Sequence, residues 1–484
     1  MLLEVALIAL LAFIWLVADG LVQPRGWVGL LPRSWPGSAL SLGVAACVFG
    51  LFLTFSGAPL ASAIMTMLLG AALTLSSNIK RTVLGEPLVF SDLALIGAIF
   101  RHPQFYFSAL RGWQIAMLIL GGVAALVLLV NLFVATLLPH LLGLAVFTAS
   151  SACLWLFLHL PPWSRLAQCP DPDADVARHG LVASLLLHWH RWRQTADPPP
   201  NAGPAPKAAN EDLLIIVQCE SFADPAELFA DPCLAMAGLT AARTMAWAHG
   251  RLLVPGFGAY TMRTEYGVIF GRSEAELGFR RFDPFLTAIR ETSYALPNQL
   301  AKAGWRSLFL HPHDMRFYGR DKIMPAAGFT ALLGQDAFRG PAPGEGRYVT
   351  DAAITQRIIA LAHEARQPTC IYAVTIENHG PWPPDQSLQR PQQSSAYLKL
   401  VRNGDAMLSA LIAALSSSGK RSTLVFFGDH RPSIPGLSMP SSDRHTPYVI
   451  VRFDADGVAR CRPGQPVDLT PAELHRQILN ALDG

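Results

Sequence analysis

The sequence predicts two structural classes in one chain: an N-terminal α-helical transmembrane bundle of five spans, then a C-terminal α/β domain with helices on both faces of its sheet. Three observations carry this. Only 15% of the 484 residues are charged and mean hydropathy is +0.32, with the apolar excess concentrated in the first third. A proline-rich stretch at 197–209 then interrupts the chain. Beyond Asp212, short aliphatic runs alternate with helix-compatible segments, the pattern of an α/β sheet.

The spans are read at 2–17, 39–55, 58–75, 113–137 and 140–160, each close to the length that crosses a bilayer core. The first lacks a basic leader and a small-residue cleavage site, so it reads as an anchor that stays attached. Residues 86–100 begin with Glu-Pro and carry Asp92, which favours a helix lying in the interface over a sixth span. An odd number of spans with a cytoplasmic N-terminus places the C-terminal domain outside the cytoplasm, in the periplasm of an inner-membrane protein. The positive-inside tendency opposes this topology, because Arg25, Arg33, Lys80, Arg81, Arg101 and Arg111 fall in loops it puts outside. Lys80 and Arg81 are expected to hold lipid phosphates. Residues 181–192, rich in Trp, His and Arg, read as a bilayer-surface helix or as a packing helix of the soluble domain. The domains expected are thus 1–163 in the membrane, 164–210 as amphipathic and Pro-rich linker, and 211–484 as catalytic domain.

Net charge is +3, too small and too dispersed for nucleic-acid binding. The seven cysteines form no CxxC pair and no zinc-ribbon spacing, which removes thiolate metal sites and dithiol redox chemistry from the reading.

Strands buried on both faces are expected at 213–217, 307–310, 371–374, 423–427 and 448–451, with helices at 298–303 and 396–416. Four of these strands end in acids or imidazoles: Glu220-Ser221-Phe222, His311-Pro312-His313, Glu377-Asn378-His379 and Gly428-Asp429-His430. Open α/β sheets bind ligands at the carboxyl ends of their strands, so residues far apart in sequence can meet there. Asp429 and His430, joined by Glu220 from another strand, make a donor set suited to Mn²⁺, Mg²⁺ or Zn²⁺. Thr261 follows the glycine-bearing Gly256-Phe257-Gly258-Ala259-Tyr260 stretch, where a helix can begin and favour an anion. Metal coordination would convert its hydroxyl from a poor nucleophile into an effective one, so Thr261 is assigned both as ligand and as nucleophile.

Taken together these motifs resemble the lipoteichoic acid synthase family of phosphoglycerol transferases, a branch of the alkaline phosphatase and sulfatase superfamily. The resemblance covers most of the chain: five spans, Phe90-Ser91-Asp92 after the third, a linker, Glu-Ser-Phe, Thr-x-x-x-Glu-Tyr, His-x-His-Asp-x-x-Phe-Tyr-x-Arg, Glu-Asn-His-Gly-Pro and Gly-Asp-His occur in the family's order. It implies a sulfatase-like catalytic domain with one Mn²⁺-type site formed by Glu220, Thr261, Asp429 and His430. It also implies that His311, Tyr318, Arg320 and His379 line the substrate pocket, Arg320 gripping phosphate bidentately and His379 protonating a leaving group. Arg263, His313 and His445 are weaker members of the substrate set. Tyr318 stands where the family often has Trp, a departure that bears on the substrate. The Cys/Ser-x-Pro-x-Arg segment from which sulfatases mature formylglycine does not occur. The implied reaction is ping-pong transfer of phosphoglycerol from phosphatidylglycerol through Thr261 to a glycan or glycerol phosphate polymer. The competing readings are phosphoethanolamine transfer, ester hydrolysis at the same site, or a non-catalytic scaffold for polysaccharide assembly.

Overall fold

In a computed structural model, described here for residues 2–26, 33–94, 112–203, 206, 211–341, 346–383, 393–462 and 464–483, the chain divides into two compact units, Met1–Thr195 and Ala196–Gly484.

The first unit is helical: Leu2–Gly20, Trp35–Ser56, Pro59–Leu84, Phe90–Ala94, Gly112–Asn131, Leu137–His159, Pro172–His179 and Leu181–Gln194. Of these, Trp35–Ser56, Pro59–Leu84 and Leu137–His159 are long and apolar enough to cross a membrane. The described residues thus support about three spans rather than five. The other two expected segments lie on Leu2–Gly20 and Gly112–Asn131, and much of 86–100 lies outside the described residues. Local chemistry sets the boundaries. Ser34 accepts from the Gly37 N–H at 3.3 Å and Pro36 occupies the first turn, while Gly57 ends the helix at φ +64°. The helices Trp35–Ser56 and Leu137–His159 approach so closely that a Cβ on Gly50 would lie 2.5 Å from the Phe147 nitrogen, and one on Gly143 2.4 Å from that of Thr54. Small residues let membrane helices touch backbone to backbone in this way.

Three of the six basic residues that conflict with the expected topology, Arg33, Lys80 and Arg81, have partners within the unit, while Arg101 and Arg111 lie outside the described residues. Lys80 lies 2.5 Å from Asp92 and 3.2 Å from Glu86, Arg81 pairs with Asp173, and buried Arg33 donates to the carbonyls of Asp19, Val22, Pro24 and Ala177. Lys80 and Arg81 therefore meet carboxylates, where lipid phosphates had been expected. Residues 181–194 bury Leu181, Val182, Ala183, Leu185, Leu187 and His188 inside this first unit, so they are not a helix of the soluble domain.

The second unit is built on a seven-stranded mixed sheet in the order β2-β7-β6-β1-β5-β3-β4. The strands are β1 Leu213–Cys219, β2 Ala248–Leu253, β3 Arg306–Leu310, β4 Ala331–Leu333, β5 Thr369–Val374, β6 Ser422–Gly428 and β7 His445–Phe453. All five expected strands are present. β1, β5 and β6 are buried along their whole length, as continuous apolar runs in a two-sided sheet must be. β1 sits at the centre, parallel to β5 and β6, with Cys219 level with Gly428 and Gln218 level with Val374. The helix Ser395–Ser416 covers one face through Tyr397, Val401, Leu408 and Leu411. The proline-rich segment is held against this unit rather than standing free: Asp197 accepts from Arg280 at 2.6 Å, and the Tyr294 hydroxyl donates to Pro199 O at 2.8 Å.

His475, on Pro471–Asp483, is buried and bonded through Nδ1 to Val268 O at 2.8 Å, and burial pushes its pKa down to about 4. In the unfolded chain it returns to about 6.5. Below that value the unfolded state takes up a proton that the folded state refuses, so stability is lost as pH falls from about 6.5 toward 4, by on the order of 2–3 kcal/mol from this residue. Denaturation of the detergent-solubilised chain across that window is expected to show a shallower pH slope in His475→Gln than in the parent.

Candidate metal and nucleophile site

The sheet register assembles the site. Because Cys219 is level with Gly428, the next residues on each strand, Glu220 and Asp429, emerge side by side at the carboxyl edge, one inter-strand spacing apart. A Cβ on Gly428 would lie 1.9 Å from Phe222 O, so only glycine lets the two chains close at this point. Glu220, Asp429 and His430 are all buried, and each offers a ligand atom within 4.8 Å of the others'.

The hydrogen bonds fix which atoms point inward. Asp429 Oδ1 accepts from the N–H groups of Ser221 at 2.8 Å and His430 at 2.9 Å, whereas its buried Oδ2 has no hydrogen-bond partner among the described residues. His430 Nδ1 lies 3.2 Å from Arg431 O, which holds the ring with Nε2 3.4 Å from both Glu220 Oε1 and Asp429 Oδ2. An imidazole tied to a carbonyl through one nitrogen presents the other as a lone pair, the usual arrangement of a metal ligand. Burial pushes the Glu220 carboxyl well above its usual range, and the neighbouring Asp429 adds to the effect. Two buried carboxylates, an imidazole and an orphaned oxygen fit a divalent cation, whose charge would remove that penalty.

Thr261 begins the helix Thr261–Phe270. Two bonds tie this segment to the Asp429 strand end: Thr264 Oγ1 donates to Asp429 O at 2.7 Å, and the Gly258 N–H donates to Arg431 O at 2.9 Å. Tyr260 enters the helix at φ +74°, Ser221 lies at +51° and Tyr318 at +59°. Three of the five non-glycine residues with positive φ among those described therefore belong to site segments, where strained backbone is held in place by its surroundings.

The remaining expected residues divide. His311 follows β3, donates from Nδ1 to Val374 O at 3.1 Å, and is held well below its usual pKa by burial and then by Arg320. His379 is bonded through Nδ1 to Gly380 O at 3.0 Å, and burial brings its pKa down to about 4. It is therefore neutral near pH 7, so it has to take up a proton before it can give one to a leaving group. Arg320 is buried and bidentate to Glu265, Nε to Oε1 at 3.0 Å and Nη2 to Oε2 at 2.7 Å. The fork expected to grip phosphate is thus taken by a carboxylate, and Arg320 acts on Glu220 and His311 as a fixed positive charge. Tyr318 lies under the same guanidinium, 5.2 Å from ring centre to Cζ. His313 contacts the His311 and Phe317 rings. Arg263 stacks at 3.8 Å on Tyr260 and donates to Phe282 O. His445 sits between Glu227, at 2.8 Å, and Asp443, next to Arg431.

Four contributors were not read from the sequence. Ser221 donates to Glu220 Oε1 at 2.9 Å, Asn378 to Ser221 O at 3.3 Å, and the Tyr397 hydroxyl to Ser221 O at 3.2 Å, while Glu265 holds Arg320. Of these, Ser221 and Asn378 were within the strand-end motifs. Breaking the Glu265–Arg320 pair leaves a buried guanidinium uncompensated, so Glu265→Gln is expected to cost about 3–5 kcal/mol in denaturant unfolding.

The family model described as Sulfatase matches residues 212–475. The chain is similar to the "Capsular polysaccharide biosynthesis protein RkpI" of Rhizobium meliloti (strain 1021), 31% identical over 459 residues, covering 90% of this chain and 85% of that protein. Its fold is similar to the integral membrane lipooligosaccharide phosphoethanolamine transferase A (EptA) of Neisseria meningitidis, with TM-score 0.53, 11% identity, and 98% of this chain and 95% of that one covered. The lipoteichoic acid synthase LtaP of Listeria monocytogenes matches with TM-score 0.45 and 18% identity over 59% of this chain and 75% of that chain. The chain belongs to the sulfatase family.

Proposed function

We propose that this protein is a membrane-anchored phosphotransferase that moves the phosphoglycerol head group of phosphatidylglycerol to a saccharide or glycerol phosphate polymer through Thr261. The observation that supports it most is the buried Glu220, Asp429 and His430 cluster, with an orphaned carboxylate oxygen, tied by backbone to the segment bearing Thr261. The choice of phosphoglycerol rests on the motif resemblance. A saccharide acceptor agrees with the naming of the Rhizobium relative as a capsular polysaccharide biosynthesis protein. Residues 1–163 would hold the chain in the inner membrane and 211–484 would act on its outer side, where donor head groups lie.

Glu220, Asp429, His430 and the Thr261 hydroxyl would hold one divalent cation, Mn²⁺ by resemblance, whose charge favours the threonine alkoxide and the phosphoryl oxygens. His379, neutral and pinned through Nδ1, would take the Thr261 proton on Nε2. Thr261 Oγ1 then bonds to phosphorus as the bond to the diacylglycerol oxygen breaks, and that oxygen receives the proton from His379. In the second half-reaction His379 takes the acceptor's hydroxyl proton, the acceptor oxygen displaces Thr261, and the threonine recovers its hydrogen. Arg320, its charge balanced by Glu265, holds the Tyr318 ring in place.

The test is mass spectrometry of the solubilised full-length chain incubated with Mn²⁺ and either phosphatidylglycerol or phosphatidylethanolamine. A glycerol phosphate adduct on the Thr261 peptide is expected. An ethanolamine phosphate adduct would replace the head group assigned here, and lipid turnover without any adduct on that peptide would overturn the covalent route.

A further inference from the structure

A cavity lies at the opposite edge of the sheet from the metal cluster. It has a volume of about 400 Å³ and is lined by Trp247, Arg452, Arg462, Gln477 and Asn480. Arg452 lies level with Thr423 near the start of β6, and Asp429 follows the end of that strand. Six residues of strand place the two sites about 20 Å apart.

The lining has an unusual composition for a packing defect. The guanidinium carbons of Arg452 and Arg462 stand 5.7 and 5.8 Å from the centre of the Trp247 ring. The Arg462 N–H is fastened to Ala246 O at 3.4 Å, and that of Arg460 to Arg452 O at 2.8 Å, so the Arg-rich loop is folded around the indole. Arg452 is buried and donates through Nη2 to Glu211 Oε1 at 2.8 Å. Its Nε and the second Glu211 oxygen are both buried without a hydrogen-bond partner among the described residues. Arg462, by contrast, is exposed, and with Arg460 nearby it leaves the local charge positive after Glu211 is counted. An indole offers a face to the C–H side of a pyranose ring, carboxamides pair with hydroxyls, and a guanidinium pairs with a carboxylate or phosphate. The volume falls within the roughly 300–1,000 Å³ of small-molecule sites.

We infer that this cavity is a binding site for an acidic oligosaccharide, separate from the reacting centre and independent of which head group is transferred. At this separation it holds a saccharide by a segment that does not react. A long acidic chain engaged here would stay near the enzyme between turnovers, with its retention set by effective concentration.

The experiment is titration calorimetry of the full-length chain in detergent with hexagalacturonate, using neutral maltohexaose and a thymidine hexanucleotide as controls. Saturable binding of hexagalacturonate is expected, weakened about ten-fold in Arg462→Ala, since one charge-assisted hydrogen bond is worth about that factor. Asn480→Ala, also at an exposed position, should weaken it by a smaller factor. Thr261→Ala should bind as the parent does, and Arg462→Ala should still form the Thr261 adduct, which separates failure here from failure of the transfer reading. Absence of saturable binding, unchanged affinity in both cavity variants, or equal affinity for maltohexaose or the hexanucleotide would each overturn the assignment.

Discussion

Thr261→Ala is expected to abolish turnover, lowering it by at least about 10⁴-fold, while the fold survives. Loss of a covalent nucleophile removes both half-reactions at once, and single deletions in such units cost up to about 10⁶-fold. The helix that Thr261 opens is held by other atoms: Thr264 bonds to Asp429 O, and Gly271 closes the far end at φ +67°. The Thr261 side chain is not among those anchors. Unfolding of Thr261→Ala should therefore match the parent, and Thr261→Ser, which keeps the hydroxyl, should recover measurable head-group release from labelled lipid. Parent-like turnover by Thr261→Ala would mean that another group attacks phosphorus.

The second large effect is expected at Asp429. Asp429→Asn keeps the Oδ1 acceptor for the Ser221 and His430 N–H groups and replaces the orphaned Oδ2 with an uncharged amide, so it removes a ligand without dismantling the strand end. A ligand present at about a hundred times its dissociation constant stabilises the folded state by about 2.7 kcal/mol. For a domain of this size that raises Tm by roughly 5–10 °C. Mn²⁺ should produce such a rise in the parent and little or none in Asp429→Asn, which should also lose turnover by at least about 10³-fold. Equal Mn²⁺ shifts in the two proteins would place the cation elsewhere.

Much of the second unit is legible from residue order because its central strands are sealed on both faces. Runs such as Leu-Leu-Ile-Ile-Val leave no polar face to solvate, so they announce buried strands, and the residue after each run must lie at the carboxyl edge. The edge strands lack that signal. Ala248–Leu253 carries His249, Gly250 and Arg251 on a half-exposed strand, and Ala331–Leu333 is three residues long. Neither has a periodicity to detect. The pairing of Arg320 with Glu265 was also hidden, because the partners stand 55 residues apart on separate elements. Its consequence was a guanidinium expected to face phosphate that instead faces a carboxylate. In the first unit, hydropathy locates apolar helices but does not show that Lys80, Arg81 and Arg33 are paired or sequestered within the unit.

The left-handed residues Ser221, Tyr260 and Tyr318 are three positions where the proposed activity is expected to trade against heat resistance. Glycine at any of them would relieve backbone strain and also unfasten the geometry that the strain maintains. Selection for a hardier enzyme would be drawn to these sites first, and there it would blunt the catalyst.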